Sequence, residues 1–170
     1  MSLDGGLGDV VSVSNFLMNK PMDGTNAVKR ANGTDVWIVS MKMGTNSFYA
    51  FLLTNSGINL TPVISSGGIV NSNASNLQFS PDGTKIGITL PPITLEILDF
   101  DKSTGIISNP IVVQFPSSCN CEDYGVAFSP DGKKVYCSVY YHDTIPTGGS
   151  ALYQIILTGD SLSTVSSKIL

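Results

Sequence analysis

His142 is the chain's single histidine, and Asp143 follows it. A histidine beside an acid can move a proton or ligate a metal. With no second histidine there is no cluster for zinc, and a catalytic dyad would rest on His142 alone. Glu122 and Asp123 are further acids that a connection between repeats would bring toward the same rim, as binding candidates. The plainer reading of all four is a solvated loop. Lys29 and Arg30 form a cation pair on what reads as an inner strand, where they would face a channel and hold an anionic ligand, or simply stand in solvent. Cys119, Cys121 and Cys137 make an odd number. In an exported protein one pair would bridge, Cys137 with Cys119 or with Cys121, because a Cys-Asn-Cys bridge closes a very tight ring. Asp99-Phe-Asp101-Lys-Ser103-Thr-Gly105 opens like a calcium loop, but Pro110 stands where the closing bidentate Glu belongs. It reads as a strand end and a polar turn. Nothing here calls for a metal or a cofactor.

The elements that must position these residues are hairpins. Phe79-Ser80-Pro81-Asp82-Gly83-Thr84-Lys85 returns 49 residues later as Phe128-Ser129-Pro130-Asp131-Gly132-Lys133-Lys134. Proline presets φ for the first turn position, Asp bonds back onto the local backbone, and Gly takes the position with φ > 0. Leu77 and Phe79 alternate into the first turn and Ile86 and Ile88 out of it. Val126 and Phe128 enter the second, and Val135, Cys137 and Val139 leave it. Alternation of period two around such a turn is a hairpin signal. Asn32-Gly33 stands where Asp82-Gly83 and Asp131-Gly132 stand, so residues 26–38 are a third, weaker copy.

The period holds beyond the turns. A further strand follows in each unit, at Phe48 to Thr54, Leu95 to Phe100 and Leu152 to Thr158, and Gly57-Ile58 with Pro62 matches Gly105-Ile106 with Pro110. Four short strands in about 50 residues is the content of a propeller blade. One such sheet cannot cover its own faces, so neighbours stack and bury the apolar residues between them. The expected fold is all-β, a single partial β-propeller over 1–170 with four-stranded antiparallel blades at about 24–66, 74–115 and 123–170. Residues 9–18 are expected to give a strand to a preceding blade. Trp37, Gly87 and Tyr136 share one blade position, so the middle blade should meet its neighbours differently.

Composition agrees. Hydrophobic residues are 42% and charged residues 13%, with 17 Gly and 9 Pro, which suits many short strands joined by turns. Glu occurs only at 96 and 122, and no stretch suits an amphipathic helix. The net charge of −4 and the scatter of nine basic residues set nucleic acid aside. No apolar run approaches the roughly 18 residues of a membrane span, and no leader opens the chain. Met1-Ser2-Leu3 reads as a cloning remnant, so that last point does not place the protein in the cytoplasm.

Residues 26–39, Phe48 to Thr54, Ser80-Pro-Asp-Gly, Leu95-Glu-Ile-Leu-Asp-Phe-Asp and Tyr124 to Gly132 resemble the WD-repeat-like (YVTN and lactonase-type) propellers of large secreted surface proteins in gliding Gram-negative bacteria. The resemblance covers almost the whole chain and implies an exported, secreted or cell-surface module. It carries no catalytic motif. Three blades fall short of the usual four to eight, so the chain reads as a fragment, or as an arc that associates with itself through open blade edges. The expected function is non-catalytic binding or scaffolding toward an unidentified protein or glycan ligand. The alternative is a lactonase-type hydrolase with a metal on the propeller axis, although the inner strands offer no acid for it.

Overall fold

The computed structural model describes residues 15–71, 76–90, 94–115, 121–141, 150–158 and 161–169, with only the backbone of 71, 114, 121–124, 141, 150, 158 and 161–169. It is all-β. Each hairpin sequence read above folds as a strand pair, and the pairs grow into three antiparallel sheets taken in chain order.

The first sheet holds β1 (Pro21–Lys29), β2 (Val36–Lys42) and β3 (Thr45–Thr54), with β4 (Gly57–Ile58) and β5 (Val63–Asn71) both pairing with β3. The second is β6 (Leu77–Phe79), β7 (Lys85–Leu90), β8 (Thr94–Phe100) and β9 (Ile107–Gln114). The third is β10 (Cys121–Phe128), β11 (Lys134–Tyr141), β12 (Ser150–Thr158) and β13 (Ser161–Ile169). Their first strands stand in series, β6 touching both β1 and β10.

The turns show why the motif repeats. Ser80 N–H bonds to Lys85 O at 3.0 Å, Gly83 N–H to Ser80 O at 2.8 Å, and Gly83 adopts φ +72. The Ser80 hydroxyl donates to Asp82 at 2.6 Å and accepts Lys85 N–H at 2.9 Å. Ser129, Asp131, Gly132 and Lys134 repeat these bonds. In the first sheet Arg30 stands in the serine position. There the backbone bonds survive, from Arg30 N–H to Asp35 O and Gly33 N–H to Arg30 O, and an Arg30–Asp35 ion pair of 3.2 Å replaces the hydroxyl.

Alternation then sorts side chains to opposite faces. Trp37, Val39 and Met41 of β2 meet Ile86, Ile88 and Leu90 of β7 in one buried cluster. Leu95 and Ile97 of β8 meet Val135, Cys137 and Val139 of β11 in the other. Two separate layers, each between neighbouring sheets, make the core.

One expectation needs correction. Of the strand expected at 9–18, residues before 15 lie outside the described residues, and Asn15 to Met18 form no strand. Lys20, at φ +50, turns the chain into β1. The segment lies over the first sheet, its side chains bordering a groove with Ile38 and Phe51 instead of its backbone entering a ladder.

Candidate functional site

Asn26 and Asn76 occupy the same place in successive repeats, 50 residues apart, at the inner strands. The Asn26 amide nitrogen donates to Leu77 O at 3.0 Å and to Gln78 Oε1 at 2.9 Å, and Gln78 Nε2 donates to Asn76 Oδ1 at 3.4 Å. These three half-buried amides link the first sheet to the second along their inner strands. Primary amides offer both donors and acceptors and carry no charge. Such a cluster can hold hydroxyl and carbonyl groups, but it cannot shuttle protons.

Lys29 ends β1 on the face opposite Asn26 and is exposed. Arg30 does not join it as a channel cation. Its guanidinium is taken by Asp35, with a longer bond of 3.5 Å to Ser103 O of the second sheet. Of the rim candidates, Glu122 and Asp123 lie on β10, facing Tyr140 and Val139 in the ladder, and their side chains fall outside the described residues. His142 and Asp143 fall wholly outside them, as does Cys119, and of Cys121 only the backbone is described. Cys137 is fully buried on β11, its Sγ 3.9 Å from Ser138 O.

The two acids of the stretch that opens like a calcium loop are already engaged by hydrogen bonds. Asp99 accepts from Lys85 Nζ at 2.8 Å and Asn109 Nδ2 at 2.9 Å, and the Lys85 bond, then the Asn109 bond, holds its carboxyl below the usual range. Asp101 accepts from the Thr104 hydroxyl and the Ser103 N–H, which lower it likewise.

Glu96 was not singled out by its sequence context, although an acid inside Leu95-Glu-Ile-Leu is out of place on a buried strand. It is fully buried on the face of β8 turned to the first sheet. One carboxylate oxygen accepts Ile69 N–H at 2.6 Å, while the other has no hydrogen-bond partner among the described residues. Gly68, at φ +76, leaves the room: a Cβ there would run into the carboxylate. Burial pushes the Glu96 carboxyl above its usual range, and the Ile69 bond only partly opposes this.

Among the described residues no three His, Cys, Asp or Glu side chains stand together as a metal site. The amides of the inner strands are weak, neutral donors that do not fit a hydrolytic metal. No helix of the described residues is long and apolar enough to cross a membrane.

No protein-family model and no curated protein sequence matches the chain. Solved structures do. A Lactobacillus plantarum protein is 19% identical over 86% of this chain and 42% of its own, with a TM-score of 0.58. A candidate 6-phosphogluconolactonase from Bacteroides uniformis is 15% identical over 91% of this chain and 45% of its own, also at 0.58. Another, from Bacteroides fragilis, is 15% identical over 85% and 38%, at 0.56. The chain thus spans less than half the length of each. At these identities the likeness shows the fold, a β-propeller, and gives no support to the resemblance to surface proteins of gliding bacteria. The three sheets are blades of a β-propeller in an open arc.

Proposed function

We propose that the protein is a lactonase-type propeller that opens a sugar lactone at its inner strands. The observation that carries this reading is the likeness of almost the whole chain to two candidate 6-phosphogluconolactonases. The inner-strand chemistry supports it. Asn26, Asn76 and Gln78 suit the hydroxyls of a sugar ring. Hydrolysis adds water to the lactone carbonyl and breaks the ring C–O bond, leaving a hydroxy acid. A base must take the water's proton and return it to the ring oxygen. We assign that base to one of Glu122, Asp123, His142 and Asp143, which the sequence offers as binding candidates at the rim. No step is routed through a metal, since the amides of Asn26, Asn76 and Gln78 do not suit one, and here the proposal parts from the metal-dependent alternative expected from the sequence.

The second reading is a non-catalytic binding module for a glycan or protein. It is favoured by the same amides, which bind without transferring protons. Acid release from 6-phosphogluconolactone, compared with spontaneous opening, separates the two. The lactonase reading expects acceleration, a KM raised about tenfold by Asn26→Ala, and a rate abolished by replacement of one of the four candidate bases. Saturable binding of the lactone without acceleration would leave the binding module, and neither binding nor acceleration would end the lactonase reading. Export belongs to the proposal too, and recovery of the native protein only from the cytoplasmic fraction would remove it.

A further inference from the structure

We infer that Glu96 of β8 and the bulge of β5 over residues 67–70 form a pH-operated latch, which holds the outer strand of the first sheet on the second sheet in acid and releases it in alkali. The inference does not depend on the lactonase reading. It rests on the way one strand leaves its ladder.

β5 pairs with β3 from Val63 to Ser66 and resumes only at Asn71. Ser66 faces Ser47 and Asn71 faces Thr45, so residues 67–70 stand out of register with β3. Gly68, at φ +76, makes the bend. The bulge leans on the second sheet. A Cβ on Gly67 would meet the Pro110 ring of β9 at 3.6 Å, and one on Gly68 would run into the Glu96 carboxylate. Just before the bulge the strand is pinned, because Ile107 N–H donates to the buried Ser65 hydroxyl at 2.9 Å. Beyond that pin, Ile69 N–H donates to Glu96 at 2.6 Å and ties the bulge to β8. Val70, next along, is 63% exposed.

Glu96 is the departure from the repeat at this place. Ile38, Ile88 and Cys137 each follow the shared position of Trp37, Gly87 and Tyr136, and their ladder partners are Phe51, Glu96 and Tyr153. Two blades thus put an aromatic ring where the second puts an acid. That acid is fully buried, with one oxygen unpartnered among the described residues. No countercharge faces it. β5 and β9 contain no ionisable residue, and Ile88 and Val112 flank Glu96 in the ladders. The side of the first sheet that meets the second is apolar, with Val39, Met41, Phe48 and Ala50. Lys85 of β7 pairs with Asp99 at 2.8 Å, and Asp99 is on the opposite face of β8 from Glu96.

Protonated, the carboxyl keeps its bond from Ile69 and brings no charge into the core. Ionised, it is a lone buried charge, which costs more than the contacts of the bulge offset. Water reaches it most readily through residues 67–70, which lift without breaking their strand's pairing at Val63 to Ser66. Burial accordingly holds the Glu96 proton above its usual range.

The test is residue-by-residue amide exchange of the chain from about pH 5 to about pH 9, each rate taken relative to the unstructured peptide at the same pH. Wild type is expected to lose protection at Ile69 at least tenfold as pH rises, while Ile107 at the pin and Val39 and Ile88 in the core keep theirs. The midpoint of that loss should coincide with the titration of the Glu96 carboxyl carbon followed by NMR. Glu96→Gln, which cannot ionise and keeps an acceptor for Ile69, should hold Ile69 protected at every pH, with Val39 and Ile88 showing that the variant is folded. Protection at Ile69 that is constant with pH in wild type, a midpoint away from the Glu96 titration, or an equal loss in Glu96→Gln would each overturn the inference. So would a loss shared equally by Ile107, Val39 and Ile88, because that is unfolding and not the release of a latch.

Discussion

Glu96 shapes the alkaline side of the fold's pH response. Its carboxyl titrates above the usual 4.5 in the fold, because burial opposes the charge more than the Ile69 N–H supports it. The folded chain therefore holds this proton over a pH range in which the unfolded chain has released it. Stability from this group is complete below about 4.5 and is lost as pH rises through the raised value. The turn acids act in the opposite sense. At Asp82 burial pulls upward, but the bonds from Ser80 and Thr84 and the charge of Lys102 outweigh it. At Asp131 the Ser129 hydroxyl leads the lowering. Their contribution is present above 3.8 and lost as pH falls. Glu96→Gln, which keeps an acceptor for Ile69, should flatten only the upper side of the profile. It should raise stability at pH 8 by on the order of 1–3 kcal/mol in urea unfolding, with little change at pH 4. An unchanged profile would mean that the carboxylate is solvated in the fold.

At the scale of the element, two turns of nearly identical sequence should respond unequally. Gly83 and Gly132 both have positive φ, +72 and +68, so alanine at either costs about 1–2 kcal/mol in backbone strain. At Gly132 the new methyl would find only Pro81 Cδ at 4.0 Å, whereas at Gly83 it would strike Val28 Cγ2 at 2.5 Å. Gly83→Ala should therefore cost a further 1–3 kcal/mol or so, read as a lower urea midpoint at unchanged slope. Equal losses would show that the inner strand yields freely to the turn. The local sequence cannot distinguish these glycines. Their difference comes from which sheet stands beside each turn.

At the scale of the whole molecule, the two core layers share the second sheet but not their side chains. Stability should then be nearest-neighbour in character. Trp37→Phe removes the indole bond to Lys102 O and part of the packing on Gly105, for a loss of about 1–3 kcal/mol. Amide exchange should quicken at the junction of β2 and β7 while β11 and β12 keep their protection. Exchange that quickens equally throughout would make the three sheets one cooperative unit. Gly87 supports the same view from the other junction: a Cβ there would press on Val126 at 3.0 Å and Phe128 at 3.2 Å. Large, absent and large at one repeat position thus means a ring on a turn, a close approach of sheets, and a ring at the open face.

The hairpins, their 49- and 50-residue spacing and the all-β class were legible in the sequence because turn chemistry and period-two alternation act within a few residues. Asn26 and Asn76 carried the same repeat signal, and it could have marked the amide cluster in advance. By sequence Arg30 either faces a channel or stands in solvent on an inner strand; in the fold it holds the serine position of the turn, where Asp35 pairs with it. The tertiary structure alone decided that Glu96 lies against Ile69, that Trp37 reaches Lys102 and that Asn26 bridges to Gln78. Each of those contacts crosses from one sheet to the next over 27 to 65 residues of chain. No local pattern encodes them, because they depend on how closely two twisted sheets can stack, and that is set by every side chain between them.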